Sequence, residues 1–434
     1  MRNSHLIAIG IAAAGLAAIP LVAATSSSAP TDLELITGIM QVVERDYVHP
    51  VGPDLLTKDA LKGMLTRLDP HSDYMDEGEY RQAQADIGGK FGGIGIEIST
   101  QGGVPKVIAP IDGTPAAQAG IEPGDLIVSI GRLSTSGMDP AKIIGALRGN
   151  PGTEVTLTLS RGEKTPFDVT LKRSIIHAQS VKSRLEPDGL GYARISQFIG
   201  DTPKDLRQAI ENLQRQAGGH LKGFVLDLRN DPGGLLTSAV GVAGDFLDGG
   251  TVVTIHGRHH GDDQVFKSDS NGDLLRGTPM VVLINGASAS ASEIVAGALQ
   301  DQHRATVMGT QSFGKGSVQT IIPLKGHGAL RLTIALYYTP SGRSIQGEGI
   351  SPDVVVEAPK DEQVASAARL SEGTLNGAIS NPGPLERASA AKTAKPAAGK
   401  AVYSPPMKPD LIGTARDTQL QAARSYLDRS ASAD

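Results

Sequence analysis

Cysteine and tryptophan are both absent from this 434-residue chain. The first absence excludes disulfides, a thiol nucleophile and a Cys-ligated metal. With aromatic residues at only 3%, the cores must rest on Val, Ile, Leu and Ala. Excess charge of one sign is also lacking. The net charge is −5 with both signs interspersed, which argues against nucleic acid as a partner and leaves no polybasic membrane patch. What the chain has in quantity is 53 Gly and 26 Pro, and these forecast many tight turns. Its length suits two to three domains with sizeable cores.

One apolar run stands out, from Leu6 to Ala24, preceded by Arg2 and ending in Val22-Ala23-Ala24. A basic residue, an apolar stretch and small residues make the pattern of a secretory signal peptide. The run is also just long enough to cross a bilayer, so a retained anchor is the second reading of 1–24. Either way an exported protein is expected, periplasmic and free or anchored at the inner membrane. The lack of cysteine is compatible with an exported fold too large to need staples.

The most informative stretch is Ser288-Ala289-Ser290-Ala291-Ser292-Glu293, followed by Phe313-Gly314-Lys315-Gly316-Ser317-Val318-Gln319. A serine is a weak nucleophile until a base takes its proton. A lysine is such a base only when neutral, and burial lowers its pKa toward that state. Glycines on both sides of Lys315 let the backbone come close and leave the amine in a poorly hydrated place. The strand Val281-Val282-Leu283-Ile284 ends just before the serines, and Ala291 to Leu299 reads as a helix. The serine therefore sits at a strand-to-helix junction, where backbone N–H groups are unsatisfied and the dipole favours negative charge.

Five ordered motifs give the chain a resemblance: Leu68-Asp69-Pro70-His71-Ser72, Phe91-Gly92-Gly93-Ile94-Gly95-Ile96, Leu226 to Gly234 with its Pro-Gly-Gly turn, the serine and lysine runs, and Tyr338 to Ile345 with Gly349-Ile350-Ser351-Pro352-Asp353. Together they resemble the carboxyl-terminal processing proteases, serine peptidases with a Ser/Lys dyad. The resemblance implies an α/β, Clp-protease/crotonase-like catalytic core with an inserted PDZ domain and an N-terminal helical segment. The expected organisation is 1–24 signal or anchor, 32–90 helical region, 91–175 PDZ domain, 176–358 peptidase core, and 359–434 low-complexity linker with a short C-terminal helix. Residues 380–410, rich in Ala, Ser, Pro and Lys, read as a disordered linker.

Three serines compete, and the family's spacing to the lysine selects Ser290 as nucleophile. Lys315 is then the general base, and Gln319 matches a family glutamine able to hold the neutral amine. Acyl transfer needs two oxyanion donors. The residue after the nucleophile, Ala291, supplies one N–H, and the resemblance places the other at Gly234. The commoner family form has Asn before the proline, where this chain has Asp231. In the PDZ segment, Gly93, Ile94, Gly95 and Ile96 match the loop that binds a peptide's C-terminal carboxylate through successive N–H groups. Arg148 is the expected coupler between PDZ domain and core. His71 reads as a turn residue, and His259-His260 as a solvated loop rather than a metal site. No metal and no cofactor are implied. The expected function is an exported endopeptidase acting near protein C-termini on substrates with free C-termini; the rival is a PDZ-based binding protein with an inert catalytic fold. A homo-oligomer through the N-terminal helices and an activating adaptor stay open.

Overall fold

The computed structural model describes residues 31–99, 104–111, 113–162, 164–259, 261, 263–269, 272–364, 371–385 and 402–431. The expected signal or anchor segment lies outside them. No helix among the described residues is long and apolar enough to cross a membrane. The chain divides into two units, residues 1–60 and 61–434. In the first, Thr31 and Glu34 form a reciprocal capping box that opens the helix Asp32–Asp46, as a Thr-x-x-Glu start should.

In the second unit, six strands among the described residues form the central sheet. Their order is Val181–Leu185, Leu190–Ile195, Gly223–Asp227, Met280–Ile284, Thr306–Gly309 and Val354–Val355. All neighbours are parallel except the first pair. Both faces are covered, which is why the central strands read as continuous apolar runs. Period-two alternation sends Phe224, Leu226, Val282 and Ile284 into the larger core, with helices Thr202–Gln216, Leu236–Gly244 and Ala291–Asp301. It sends Tyr192, Val225, Val281 and Leu283 to the other face, against Leu420, Ala423 and Leu427 of the helix Thr418–Ala431.

The helix Thr418–Ala431 is therefore part of the core. The expected linker over 380–410 is corrected at both its ends. Leu385 N–H donates to Gly342 O, and Gln311 N–H to Val402 O. Met407 is buried. Low-complexity composition hid these contacts because they are made by backbone groups and by a few residues far from their partners in sequence.

A second, antiparallel sheet carries Asp73–Met75, Ala329–Tyr338, Thr251–Gly257 and Gln264–Lys267, with Ser317–Pro323 also paired to Ala329–Tyr338. The inserted body has its own sheet, ordered Ile96–Ser99, Lys106–Pro110, Leu126–Ile130, Glu154–Ser160 and Phe167–Lys172. Val107, Ile127, Leu157 and Leu159 fill its core with Ile143 and Leu147 of the helix Pro140–Leu147. Its entry and exit strands, Lys90–Gly93 and Ser174–His177, pair antiparallel. An insertion that leaves where it enters keeps the host sheet unbroken.

Candidate active site

The strand Met280–Ile284 ends in a turn that delivers Ser290 to the N-cap of the helix Ala291–Asp301. Residues 291–300 of that helix are all buried. An added Cβ at Gly297 would meet Ile350 at 2.9 Å. Ser290 has φ 55° and ψ −112°, a strained conformation for a residue with a side chain. Such strain persists only where neighbours over-determine it.

The neighbour that does so is Glu293, wholly buried on the same helix. Its Oε2 accepts Ser290 N–H at 2.7 Å and Lys315 N–H at 2.9 Å. Its Oε1 accepts Gly314 N–H at 2.7 Å and the Ser312 hydroxyl at 2.5 Å. One carboxyl thus fixes the backbone of both expected catalytic residues. Burial pushes Glu293 up to about 7 against the pull of those donors. The sequence carried the signal, since Ser-x-x-Glu at a helix start is a capping box; its second grip, on the lysine loop, was not visible there.

Lys315 lies between Gly314, at φ 94°, and Gly316. A Cβ on Gly316 would meet Gln346 N at 2.4 Å, so the glycines permit close packing of the loop. Burial pushes the Lys315 amine below its ordinary pKa; Glu372 opposes this most strongly among the nearby charges, and Arg331 reinforces it. Glu372 itself comes from the segment 371–385. It is buried, pairs with His71 Nε2 at 2.9 Å and accepts from Gln346 at 3.1 Å. Ser290 Oγ and Lys315 Nζ share no hydrogen bond here, although apo sites often tighten only with substrate. Beside Ser290 stands the Tyr337 hydroxyl, pushed up to about 12 by burial.

Gln319 departs from the expectation. Its amide donates to Ser317 Oγ at 2.9 Å and to Thr333 Oγ1 at 3.1 Å, not to the amine. Thr333 is in turn tied to Asp69 and Ser72 of the Asp-Pro-His-Ser motif. A bulge between Val318 and Gln319 re-aims the side chain, as bulges do.

The Pro-Gly-Gly turn lies against the serine. A Cβ on Gly233 would meet Ala291 N at 2.8 Å and Ser290 Cβ at 2.9 Å, and one on Gly234 would meet Phe198 O at 2.0 Å. Among the described residues, no backbone carbonyl outside the regular helices and strands accepts the N–H of Gly234 or Ala291. The turn is anchored from behind. Arg229, fully buried, holds Asp227 at 2.9 and 2.5 Å and Asp417 at 2.8 and 2.6 Å. Asn230, at φ 55°, exchanges hydrogen bonds with Asn285 and with the backbone of Met407. The C-terminal segment therefore buttresses the Pro-Gly-Gly turn, a role sequence reading did not assign.

In the inserted body, Gly93 to Ile98 line a cavity of about 270 Å³ with Phe91, Ile144, Leu147 and Arg148. The predicted Gly93, Ile94, Gly95 and Ile96 are all on it. Arg148 stacks on Phe91 at 4.3 Å and donates to Asp86 at 2.7 Å. It thus reaches the helix Glu77–Gly88, not the catalytic loops directly.

The sequence profile of Peptidase family S41 matches residues 189–356, and that of the PDZ domain residues 106–161. A carboxy-terminal-processing protease of Bartonella bacilliformis is 49% identical over 345 residues, covering 79% of each chain. The chain belongs to the carboxyl-terminal processing proteases of family S41. It is a serine-type peptidase with an α/β core of the Clp-protease/crotonase-like kind, carrying a PDZ domain. The carboxy-terminal processing protease CtpA of Bacillus subtilis is 32% identical over 336 residues, covering 77% of this chain and 71% of the relative. Among solved structures, the photosystem II D1 C-terminal processing protease aligns over 76% of this chain and 94% of its own, at 29% identity and a TM-score of 0.45.

Proposed function

We propose that this protease is exported and cleaves near the C-termini of protein substrates through a Ser290/Lys315 dyad. The observation that carries the reading is the shared Glu293 Oε2, which holds Ser290 N–H and Lys315 N–H together beside the glycine turn. Lys315 Nζ takes the Ser290 proton as Oγ bonds to the scissile carbonyl carbon. The N–H groups of Gly234 and Ala291 stabilise the oxyanion. Collapse breaks the C–N bond, and the Lys315 ammonium returns its proton to the leaving amine. A water, deprotonated by Lys315, then hydrolyses the Ser290 ester.

Lys315→Arg tests the base. Arginine keeps the charge but stays protonated, so activity should fall at least about 10²-fold, the scale of general-base catalysis. Because burial lowers the lysine, wild-type activity should rise with pH as the amine loses its proton. An active Lys315→Arg enzyme measured on an unfolded substrate would transfer the base role elsewhere.

The PDZ cavity is proposed to take a free apolar C-terminus, with Arg148 as coupler. Supporting this, Arg148 lines the cavity and grips Asp86. The helix bearing Asp86 is capped by Asp76, close in sequence to Ser72, which bonds Thr333, the partner of Gln319. Wild type should prefer a free to an amidated terminus by about 5–150-fold, the usual span of coupling between sites. Arg148→Ala should erase that preference while peptide still binds the PDZ domain. Equal preference in both enzymes removes Arg148 from the mechanism.

Export rests on the Leu6 to Ala24 run. Fractionating cells that express the full chain, with and without residues 1–24, tests it; no change in location would reject the reading.

A further inference from the structure

Asp231 begins the Pro-Gly-Gly turn and is wholly buried. Its backbone carbonyl accepts Ala289 N–H at 2.9 Å and the Ser292 hydroxyl at 3.0 Å, so it clasps the residues on either side of Ser290. Its carboxyl is less well served. Oδ1 accepts Gly233 N–H at 2.8 Å, while Oδ2 has no hydrogen-bond partner among the described residues.

A carboxylate needs several donors to be tolerated in the interior. The charged groups facing Asp231 do not supply them. Arg194 attracts it and Asp227 repels it. Arg194 directs a donor to Arg229 O, and Arg229 is committed to Asp227 and Asp417. Gly233 N–H reaches only Oδ1, and the Ser292 hydroxyl is spent on the Asp231 backbone carbonyl. Glu293, across the serine, spends both oxygens on the serine and lysine loops. A negative charge here would also stand beside the site where the oxyanion forms, and in a low-dielectric setting that repulsion is large.

We infer that Asp231 works as a neutral carboxylic acid, a positioning residue that holds the oxyanion turn against the serine loop without placing charge there, and that its ionisation shuts hydrolysis down at alkaline pH. The inference rests on the oxyanion reading of Gly234 and Ala291. Burial pushes Asp231 well above the ordinary carboxylate range, opposed chiefly by the Gly233 N–H. The protein would thus have opposed titrations at one centre, with Glu293, pushed up to about 7, losing its proton on the rising limb beside Lys315. Lys315 must lose its proton to act, and Asp231 must keep its own. Asn in place of Asp231 would preserve the acceptor to Gly233 while removing the titration.

Two measurements test this. The first is the pH dependence of kcat/KM for wild type and Asp231→Asn. Wild type should pass through a maximum and then fall about tenfold per pH unit, the slope of a single ionisation. Asp231→Asn should rise to a plateau without the fall. The second needs no turnover. In a Ser290→Ala background at neutral pH, infrared spectroscopy should find a carboxylic-acid C=O band that Asp231→Asn removes.

Linkage gives the same group a stability signature. Because the native pKa lies above the unfolded one, the folded chain holds a proton that the unfolded chain has lost. Stability therefore falls as pH rises from about 4 toward the native pKa. Asp231→Asn should be free of that decline and be the more stable protein at neutral pH. An unaltered alkaline fall in Asp231→Asn, inactivity of that variant at every pH, or the absence of the acid band would overturn the inference. Activity surviving in Ser290→Ala would instead strike the dyad reading on which it rests.

Discussion

Ser290→Ala should abolish proteolysis, a loss of about 10⁴–10⁶-fold on the scale set by removing an activated nucleophile. Ser288→Ala and Ser292→Ala should keep most of it. The three hydroxyls have different tasks. Ser288 Oγ donates to Leu228 O at 2.8 Å and accepts Asn285 N–H at 2.9 Å, both buried. Ser292 Oγ donates to Asp231 O, which keeps Ala289 N–H as a second partner. Ser288→Ala should therefore destabilise by about 1–3 kcal/mol, because it strands a buried donor and a buried acceptor, whereas Ser292→Ala should cost less. Of the three serines Ser290 is the one that keeps some exposure, 8%, beside the glycine turn and on the same carboxyl as the lysine loop. Gel assays on an unfolded substrate, with melting curves for all three variants, separate lost chemistry from lost fold. Full activity in Ser290→Ala rejects the nucleophile assignment.

Arg229→Met should cost about 3–5 kcal/mol, the penalty for uncovering a buried ion pair, and lower Tm by roughly 6–20 °C. Arg229 is enclosed with Asp227 and Asp417, none of them exposed to solvent. Removing the cation leaves two carboxylates buried together. Arg229 lowers the pKa of Asp227 against the upward push of burial. A lowered carboxylate contributes stability that is present above its unfolded pKa of about 3.9 and lost as pH falls through the folded value. The gap between wild type and Arg229→Met should therefore narrow in acid. Activity should fall with stability, because Arg229 precedes Asn230 and the oxyanion turn and joins them to the C-terminal segment. A Tm within about 2 °C of wild type at neutral pH would refute this account of the network.

By itself, the sequence determined the elements that depend on local pattern. Alternating and continuous apolar runs marked the strands Gly223–Asp227 and Met280–Ile284. Small residues after a buried strand marked the helix behind Ser290, and the glycines flanking Lys315 announced a tightly packed loop. The segment Gly93–Ile96 matched a carboxylate-binding loop, and in the folded chain these residues line a cavity. Motif order then sufficed to indicate the family. Only the tertiary structure decided which side chains serve those motifs. Glu293 grips Lys315 N–H across 22 positions, and Arg229 meets Asp417 across 188. Gln319 turns to Thr333 because a bulge re-aims it, and Glu372 reaches His71 from a segment whose composition promised nothing. Asp231 looked like a minor departure from a familiar motif until its burial and its unpartnered oxygen were in view. Local periodicity reports which face of an element is apolar. The partners of a buried carboxyl, and hence its charge, are fixed only when distant parts of the chain close around it and exclude water.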